Sequence, residues 1–344
     1  FTYDEALAGI VFLKRQDTAA AKKIFDFFWA NWDPAGFWTV YNSLYVGGAP
    51  LEYMKIMGPT AWVGIFALHY YAAVSDSKAL DLALKTAQWI RSLPHKDGGV
   101  AMGVEIPWKN VYSVENNLDY YALLEGLLEA PISAVDRQWA EDEHKVLQEW
   151  FKTKAFDASA GFFKRSPIDQ TQALDTNAWS FLVFGAKDLN KIFSIDIHDF
   201  TKRVEDSFQV QDDGSFGGEA LSAKGFDFSN SHNAISAGRK GLKWVEGTGQ
   251  MITAYNHLHD FYSSVHEDAD TEKAAHYAAR AAVFSGRNSE NQVLNGDATG
   301  YVYTDRPGAK IWWDNPYWTA SKGSAAASSA WVYFAENKIN PFRP

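Results

Sequence analysis

An aspartate followed within a few residues by glycine and an apolar side chain recurs five times along this chain, each time between two stretches of helical character. The copies read DPAGFW from Asp33, DGGVAM from Asp97, DASAGFF from Asp157, DDGSFGG from Asp212 and DATGYVY from Asp297. Asp and Gly in this order build tight turns, because Asp bonds the backbone just ahead of it and Gly accepts positive φ. A repeat of roughly 55 to 85 residues is too long for one helix pair of a common solenoid and predicts helical hairpins with elaborated loops. Helical periodicity places first helices near 3–13, 60–74, 114–128, 176–184, 248–261 and 316–334. Second helices fall near 17–29, 78–91, 134–151, 189–208 and 271–284. Strand signals are confined to loops, as in GYVYT from Gly300.

With 344 residues, 47% of them hydrophobic, the chain can bury a large core. No Pro-, Ser- or charge-rich linker interrupts the repeats, so a single domain over 1–344 is expected. Lys and Arg number 32 against 42 Asp and Glu, a net charge of −10. That balance, without any basic run, argues against nucleic acid or an anionic membrane as partner. The longest apolar stretch, AWVGIFALHYYAAV from Ala61, is too short to cross a bilayer and contains His69, so no membrane insertion is expected. The absence of cysteine removes disulfides and thiolate chemistry. The chain opens at Phe1 without an initiator Met, from which a secreted or periplasmic location is expected.

In a ring of hairpins every first helix points the same way, so the residues at their N-termini collect at one rim. Those residues include Thr60 in GPTAW, Glu115 and Asp119 in SVENNLDYY, Asp175 in LDTNAW, Glu246 in WVEGTGQ and Asp314 in WWDNPYW. Paired helices, Gly-aromatic loops and carboxylates at helix starts resemble the (α/α) toroid carbohydrate-active enzymes over nearly the whole length. SVENNLD and WVEGTGQ look like motifs of bacterial glycosidase-like toroid proteins. The resemblance implies an all-α (α/α)6 toroid with its last outer helix missing or reduced. It also implies a saccharide in the mouth of the ring, a glycosidase activity and an inverting outcome.

Cleaving a glycosidic bond takes one carboxylic acid to protonate the leaving oxygen and a second carboxylate as base or nucleophile. Glu115 and Asp119, four apart, share a helix face. Ser113 as cap and a dipole role for Glu115 is the structural alternative. Glu246 lies between Trp244 and the Gly247-Thr248-Gly249 turn, where apolar surface would favour a protonated acid; Thr248 as a helix cap is the competing reading. Asp175 is read either as a catalytic carboxylate or as an N-cap. Asn315 and Pro316 mark a helix start, leaving Asp314 as a sugar-hydroxyl ligand.

Aromatic residues make up 15% of the chain, and Tyr and Trp stack on sugar faces while offering a polar edge. Phe37, Trp38, Phe162, Phe163, Tyr301, Tyr303, Trp312 and Trp313 cluster beside loop glycines and are expected on a binding surface. Trp179 and Trp244, within the carboxylate motifs, join Trp38, Trp312 and Trp313 as candidate stacking residues. SNSHNAISAGRKG supplies His232 and Arg239, which as substrate-binding residues open a second reading, a polysaccharide lyase that neutralises a uronate. A non-catalytic glycan-binding protein is the third. Neither a His-Glu-x-x-His metal motif nor a nucleotide-binding loop occurs, so no metal or cofactor is expected, and a monomer acting on a polysaccharide or oligosaccharide is the expectation.

Overall fold

A computed structural model describes residues 1–41, 50–169, 171–264, 269–295, 298–311, 319–320 and 323–344, with the backbone alone at 38–41, 50–53, 220 and 295. Backbone packing groups them into two compact units, Phe1–Ala155 with Arg165–Gln170 and Pro341–Pro344, and Phe156–Lys164 with Thr171–Asn340. The first unit holds α1 (Thr2–Lys14), α2 (Thr18–Ala30), β1 (Trp38–Tyr41), β2 (Pro50–Lys55), α3 (Met57–Val74), α4 (Ser77–Arg91), β3 (His95–Lys96), β4 (Gly99–Val100), α5 (Val114–Glu129) and α6 (Ala134–Trp150). The second holds β5 (Phe156–Asp157), β6 (Phe162–Phe163), α7 (Leu174–Val183), α8 (Gly185–Phe193), α9 (Ile197–Phe208), β7 (Gln209–Val210) and β8 (Gly225–Phe226). It continues with α10 (Ser231–Ser236), α11 (Val245–Ser263), α12 (Thr271–Asn288), β9 (Gln292–Asn295), β10 (Ala298–Val302), β11 (Ser324–Ala325) and α13 (Ala326–Glu336).

Two kinds of helix alternate, and their sequences explain why. In α12 the buried residues Ala274, Tyr277, Ala281, Phe284 and Asn288 recur at intervals of three and four, a single stripe on an otherwise polar helix. α4 buries a similar stripe. α3, α5, α7 and α11 are buried nearly all round, as helices enclosed by neighbours on every side must be. The two kinds also begin differently. The one-sided helices α2, α4, α6, α9 and α12 are capped by the side chains of Asp17, Asp76, Ser133, Asp196 and Asp270. Of the enclosed helices only α5 has a side-chain cap, Ser113; α3, α7, α11 and α13 start from Ile56, Ala173, Trp244 and Ala325, which bond none of the helix N–H groups through their side chains.

The enclosed helices are held instead by a recurring hydrogen-bond device. Four residues beyond the cap stands a short polar side chain that bonds back to the cap carbonyl: Thr60 to Ile56 at 3.1 Å, Asn117 to Ser113 at 2.7 Å, Asn177 to Ala173 at 2.9 Å, Thr248 to Trp244 at 2.8 Å and Ser329 to Ala325 at 2.9 Å. In four of the five the same side chain accepts the N–H of a hairpin residue: Val100, Phe163, Phe226 and Tyr301. Two residues further along, the hairpin strand accepts the first N–H of another enclosed helix, at Met102 from Met57, Phe228 from Leu174 and Tyr303 from Val245. Residues 100–102 thereby join the starts of α3 and α5 in the first unit. Residues 226–228 join α7 to α11 and residues 301–303 join α11 to α13 in the second.

Among the described copies, the Asp-Gly signatures at Asp97, Asp157 and Asp212 are the turns of these hairpins, and the one at Asp33 is the turn that leads from α2 into β1. Asp33, Asp157 and Asp213 accept backbone N–H groups two residues on, at 2.8–2.9 Å. Contacts with Lys55, Ser159 and Ser215 respectively hold the three carboxyls below the usual carboxylate range. Gly36 has φ +89°, and a Cβ there would lie 2.5 Å from the Trp89 indole.

Several expectations change. The helix expected over 189–208 is two helices, broken where Ser194 turns left-handed at φ 58° and Asp196 caps α9. The last enclosed helix begins at Ala326, ten residues after the expected Pro316, because β11 pairs with β10 immediately before it. No helix follows α13 among the described residues. Phe37, Phe162 and Phe163 are buried, Phe37 against Phe28 and Trp32, and Phe163 against Phe156, Phe193 and Phe200. A short hairpin turns its aromatic face onto the helices beside it, so these rings pack the core and form no binding surface.

Asn177 is fully buried and satisfies both polar groups of Phe163 as well as the Ala173 carbonyl. Asn177→Ala strands those groups away from water and is expected to lower unfolding free energy by about 2–4 kcal/mol, read from the urea midpoint. His69 gives a pH dependence. Burial pushes its imidazole down to about 3, Lys14 adds to the shift, and Nε2 faces the Pro341 carbonyl at 2.8 Å. The unfolded chain takes up this proton below its ordinary value of 6.5 while the native state refuses it. Stability is therefore full above 6.5 and falls as the pH drops toward 3, by at most about 1.4 kcal/mol per pH unit. The difference between wild type and His69→Gln in urea unfolding from pH 6.5 to 5 should show that slope; parallel curves would contradict it.

Candidate active site

Glu115, Asp175 and Glu246 turn out to hold one position: each is the second residue of its helix, two residues before the side chain that grips the hairpin. Gly58 and Ala327 occupy that position in α3 and α13. One turn further in, the equivalent residues are Trp62, Asp119, Trp179, Gln250 and Trp331, all buried. The residue one turn beneath this position is thus tryptophan except at Asp119 and Gln250.

In the first unit Glu115 is half-buried and Asp119 is 1% exposed. Ser113 is the cap, its Oγ accepting the Asn116 N–H at 3.3 Å. A Cβ on Gly58 would lie 2.5 Å from Asn116 Nδ2 and 3.2 Å from Asp119 Oδ2. The first turn of α3 therefore closes over Asp119, and glycine is required there for room. The positive end of the α3 dipole is a place that favours negative charge.

In the second unit Asp175 and Glu246 stand at the same level on α7 and α11, which pack together and are joined at their starts through residues 226–228. Asp175 is not the N-cap, which is Ala173; its Oδ1 accepts the Thr176 N–H at 2.6 Å. Nor is Thr248 a cap, since α11 starts at Val245 and Thr248 serves the hairpin. Glu246, 6% exposed, receives a long contact of 3.5 Å from the Gln250 amide, one turn inward.

The aromatic candidates within these motifs are interior. Trp244 is 3% exposed, meets Phe228 edge-on at 5.1 Å, and leaves no room for a Cβ on Gly247. Trp179 stacks on Trp331 at 6.1 Å. Both support the site from beneath, because a ring this buried has no face to offer a sugar. Trp38 lies in β1 opposite Lys55, with its backbone alone described, and Trp312, Trp313 and Asp314 fall outside the described residues.

Arg239 and His232 part company. His232 is exposed at the start of α10. Arg239 is turned inward to the fully buried Asp227, with Nη1 to Oδ2 at 2.5 Å and Nη2 to Oδ1 at 2.8 Å, and it also donates to the carbonyls of Lys310 and Ile311. Burial pushes the Asp227 carboxyl up, opposed by the guanidinium and by the N–H groups of Leu242 and Ser229. With its donors so engaged, Arg239 fastens the 227–242 connection to the 310–311 segment and has no charge left for a uronate. Sequence reasoning missed Asp227, which lies in no turn signature. It also missed the gripping residues, although ENN, DTN, EGT and ASS at fixed distance from each helix start carry the signal.

No family model and no curated protein matches the sequence. Solved structures do match over nearly the whole chain. Cellobiose 2-epimerase from Bacillus thermoamylovorans B4167 is 12% identical with a TM-score of 0.62, covering 98% of this chain and 87% of that one. The GH76 α-mannanase of Bacteroides thetaiotaomicron is 12% identical, TM-score 0.58, covering 98% and 84%. Unsaturated glucuronyl hydrolase from Bacillus sp. GL1 is 11% identical, TM-score 0.59, covering 97% and 84%. These are carbohydrate-active enzymes of (α/α)6 toroid fold, and the likeness shows that fold for this chain.

If Arg239 is a fastener, Arg239→Ala leaves a buried carboxylate without its counter-charge and should cost about 3–5 kcal/mol, seen as a lowered melting temperature. An unchanged melting temperature would return Arg239 to the list of substrate ligands.

Proposed function

We propose that this chain is a glycoside hydrolase acting on a polysaccharide or oligosaccharide, with Glu246 as general acid and Asp175 as general base. The observation that carries the reading is the placement of these two carboxylates at one level on neighbouring, joined helices of a single unit. Packed helix axes lie about 8–10 Å apart. That spacing is compatible with the roughly 6.5–9.5 Å between carboxyls that leaves room for a water between acid and base, the inverting arrangement. Roles follow from surroundings. The short N–H contact at Asp175 Oδ1 stabilises the ionised form, as a base requires. Glu246 is as buried, on a helix enclosed nearly all round, and has the setting that suits a proton donor.

In the reaction, Glu246 gives its proton to the glycosidic oxygen as the bond to the anomeric carbon breaks. Asp175 takes a proton from the water that attacks the opposite face, releasing a new reducing end with inverted configuration. The fold shared with the mannanase and the glucuronyl hydrolase supports a sugar substrate. The lyase reading loses its cation at Arg239, which Asp227 already holds. A polymeric substrate would suit an exported enzyme.

Glu246→Gln keeps volume and most hydrogen bonds but cannot protonate a leaving group. Turnover of a polymer should fall by roughly 10²- to 10⁴-fold, with a much smaller loss on an activated aryl glycoside. Asp175→Asn should impair both substrates. Should Glu115→Gln or Asp119→Asn do so while Asp175→Asn does not, the base belongs to α5. Conversion of a sugar without release of reducing ends would overturn the hydrolase reading itself.

A further inference from the structure

Two pockets outside the carboxylate rim can be compared by what their polar groups already do. The larger, about 320 Å³, opens between α9 and α12 in the second unit. Apart from Glu219 its charges are matched: Arg280 clasps Glu205 at 2.6 and 3.3 Å, Lys202 meets Asp206 at 2.9 Å, and His276 Nδ1 accepts from Arg280 at 3.1 Å. The smaller, about 250 Å³, lies in the first unit among the β3–β4 turn, the approach to α5, the residues after α6 and the turn at 166–168. Its groups are unmatched. Lys96 and Lys154 form no ion pair among the described residues, and the side chains of Asn110 and Tyr112 make no hydrogen bond among them. Ile168, 82% exposed, adds an apolar edge.

From this juxtaposition we infer that the smaller pocket is an accessory subsite for an acidic sugar, a saccharide unit bearing a carboxylate. Two ammonium groups face one carboxylate, Asp97, so the lining is net positive on a protein of net charge −10. Lysine is a suitable point charge for such an anion. A free amide and a free phenol supply the donors and acceptors that sugar hydroxyls use, and the volume admits about one sugar ring. Tyr112 directly precedes Ser113, the cap of α5, and the hairpin carrying Lys96 is the one gripped by Asn117. The pocket therefore lies toward the same end of α5 as Glu115, within the first unit. The inference rests on the saccharide reading and adds its charge class.

The test measures binding by calorimetry to a hexuronate trisaccharide and to a neutral trisaccharide, in the Glu246→Gln background so that no turnover intervenes. Lys96→Ala combined with Lys154→Ala should weaken uronate binding by about tenfold and leave the neutral sugar unaffected. Salt at about 0.5 M should weaken only the uronate. Asp97→Asn, tolerated in its left-handed turn at φ 54°, should tighten uronate binding and keeps the question answerable if the double variant is unstable. Equal binding of the two sugars, or a uronate affinity indifferent to all three substitutions, would overturn the subsite. Uronate preference in a wild-type protein that releases no reducing ends from any glycan would retain the subsite and sink the hydrolase reading.

Discussion

The backbone of four hairpins is held by one short side chain in the first turn of an enclosed helix, and the rest of the structure depends on that bond. An enclosed helix cannot use water to satisfy its leading N–H groups, and α3, α7, α11 and α13 have no side-chain cap either. The hairpin strand supplies an acceptor to α3, α7 and α11, while Asn117, Asn177, Thr248 and Ser329 hold the strand in place. Because each of these side chains is also bonded to its own cap carbonyl, strand and helix start move as one body. The one-sided helices, open to solvent, need only Asp or Ser in the usual cap position.

A second fastening works by charge. Asp227 and Arg239 are paired in the interior, and removing either leaves the other exposed to the full cost of burial. Together with the Lys224–Asp305 contact at 2.6 Å, it ties the 224–242 connection to the 305–311 segment within the second unit. Long connections that would otherwise carry unsatisfied backbone are in this way turned into fixed walls.

Helix existence was legible because apolar spacing and Asp or Ser caps are local; α1, α2, α4, α5 and α6 begin within three residues of where periodicity places them. The start of α13 was not, because Asn315-Pro316 is a strong local signal and the pairing of β11 with β10 is a long-range event. The carboxylates of the candidate site were legible as types but not as a set. Their equivalence appears only when the gripping residue two places on is recognised, and its partner is a backbone N–H more than ten residues away. The loop aromatics misled for a related reason: a ring beside glycine looks exposed until the chain folds it onto a helix, as happens to Phe37 in the connection after α2 and to Phe163 in its hairpin.

The gripping residue and the carboxylate share one turn of helix yet answer to different demands. The fourth position, an amide or hydroxyl in all five enclosed helices, keeps the frame; the second is Gly, Glu, Asp, Glu and Ala in turn. A frame that fastens itself through one position leaves its neighbour free to vary, much as a row of identical sockets accepts different inserts. Chemistry in such a protein can be exchanged by single substitutions at a site whose orientation is already set, without any change to how the chain finds its fold.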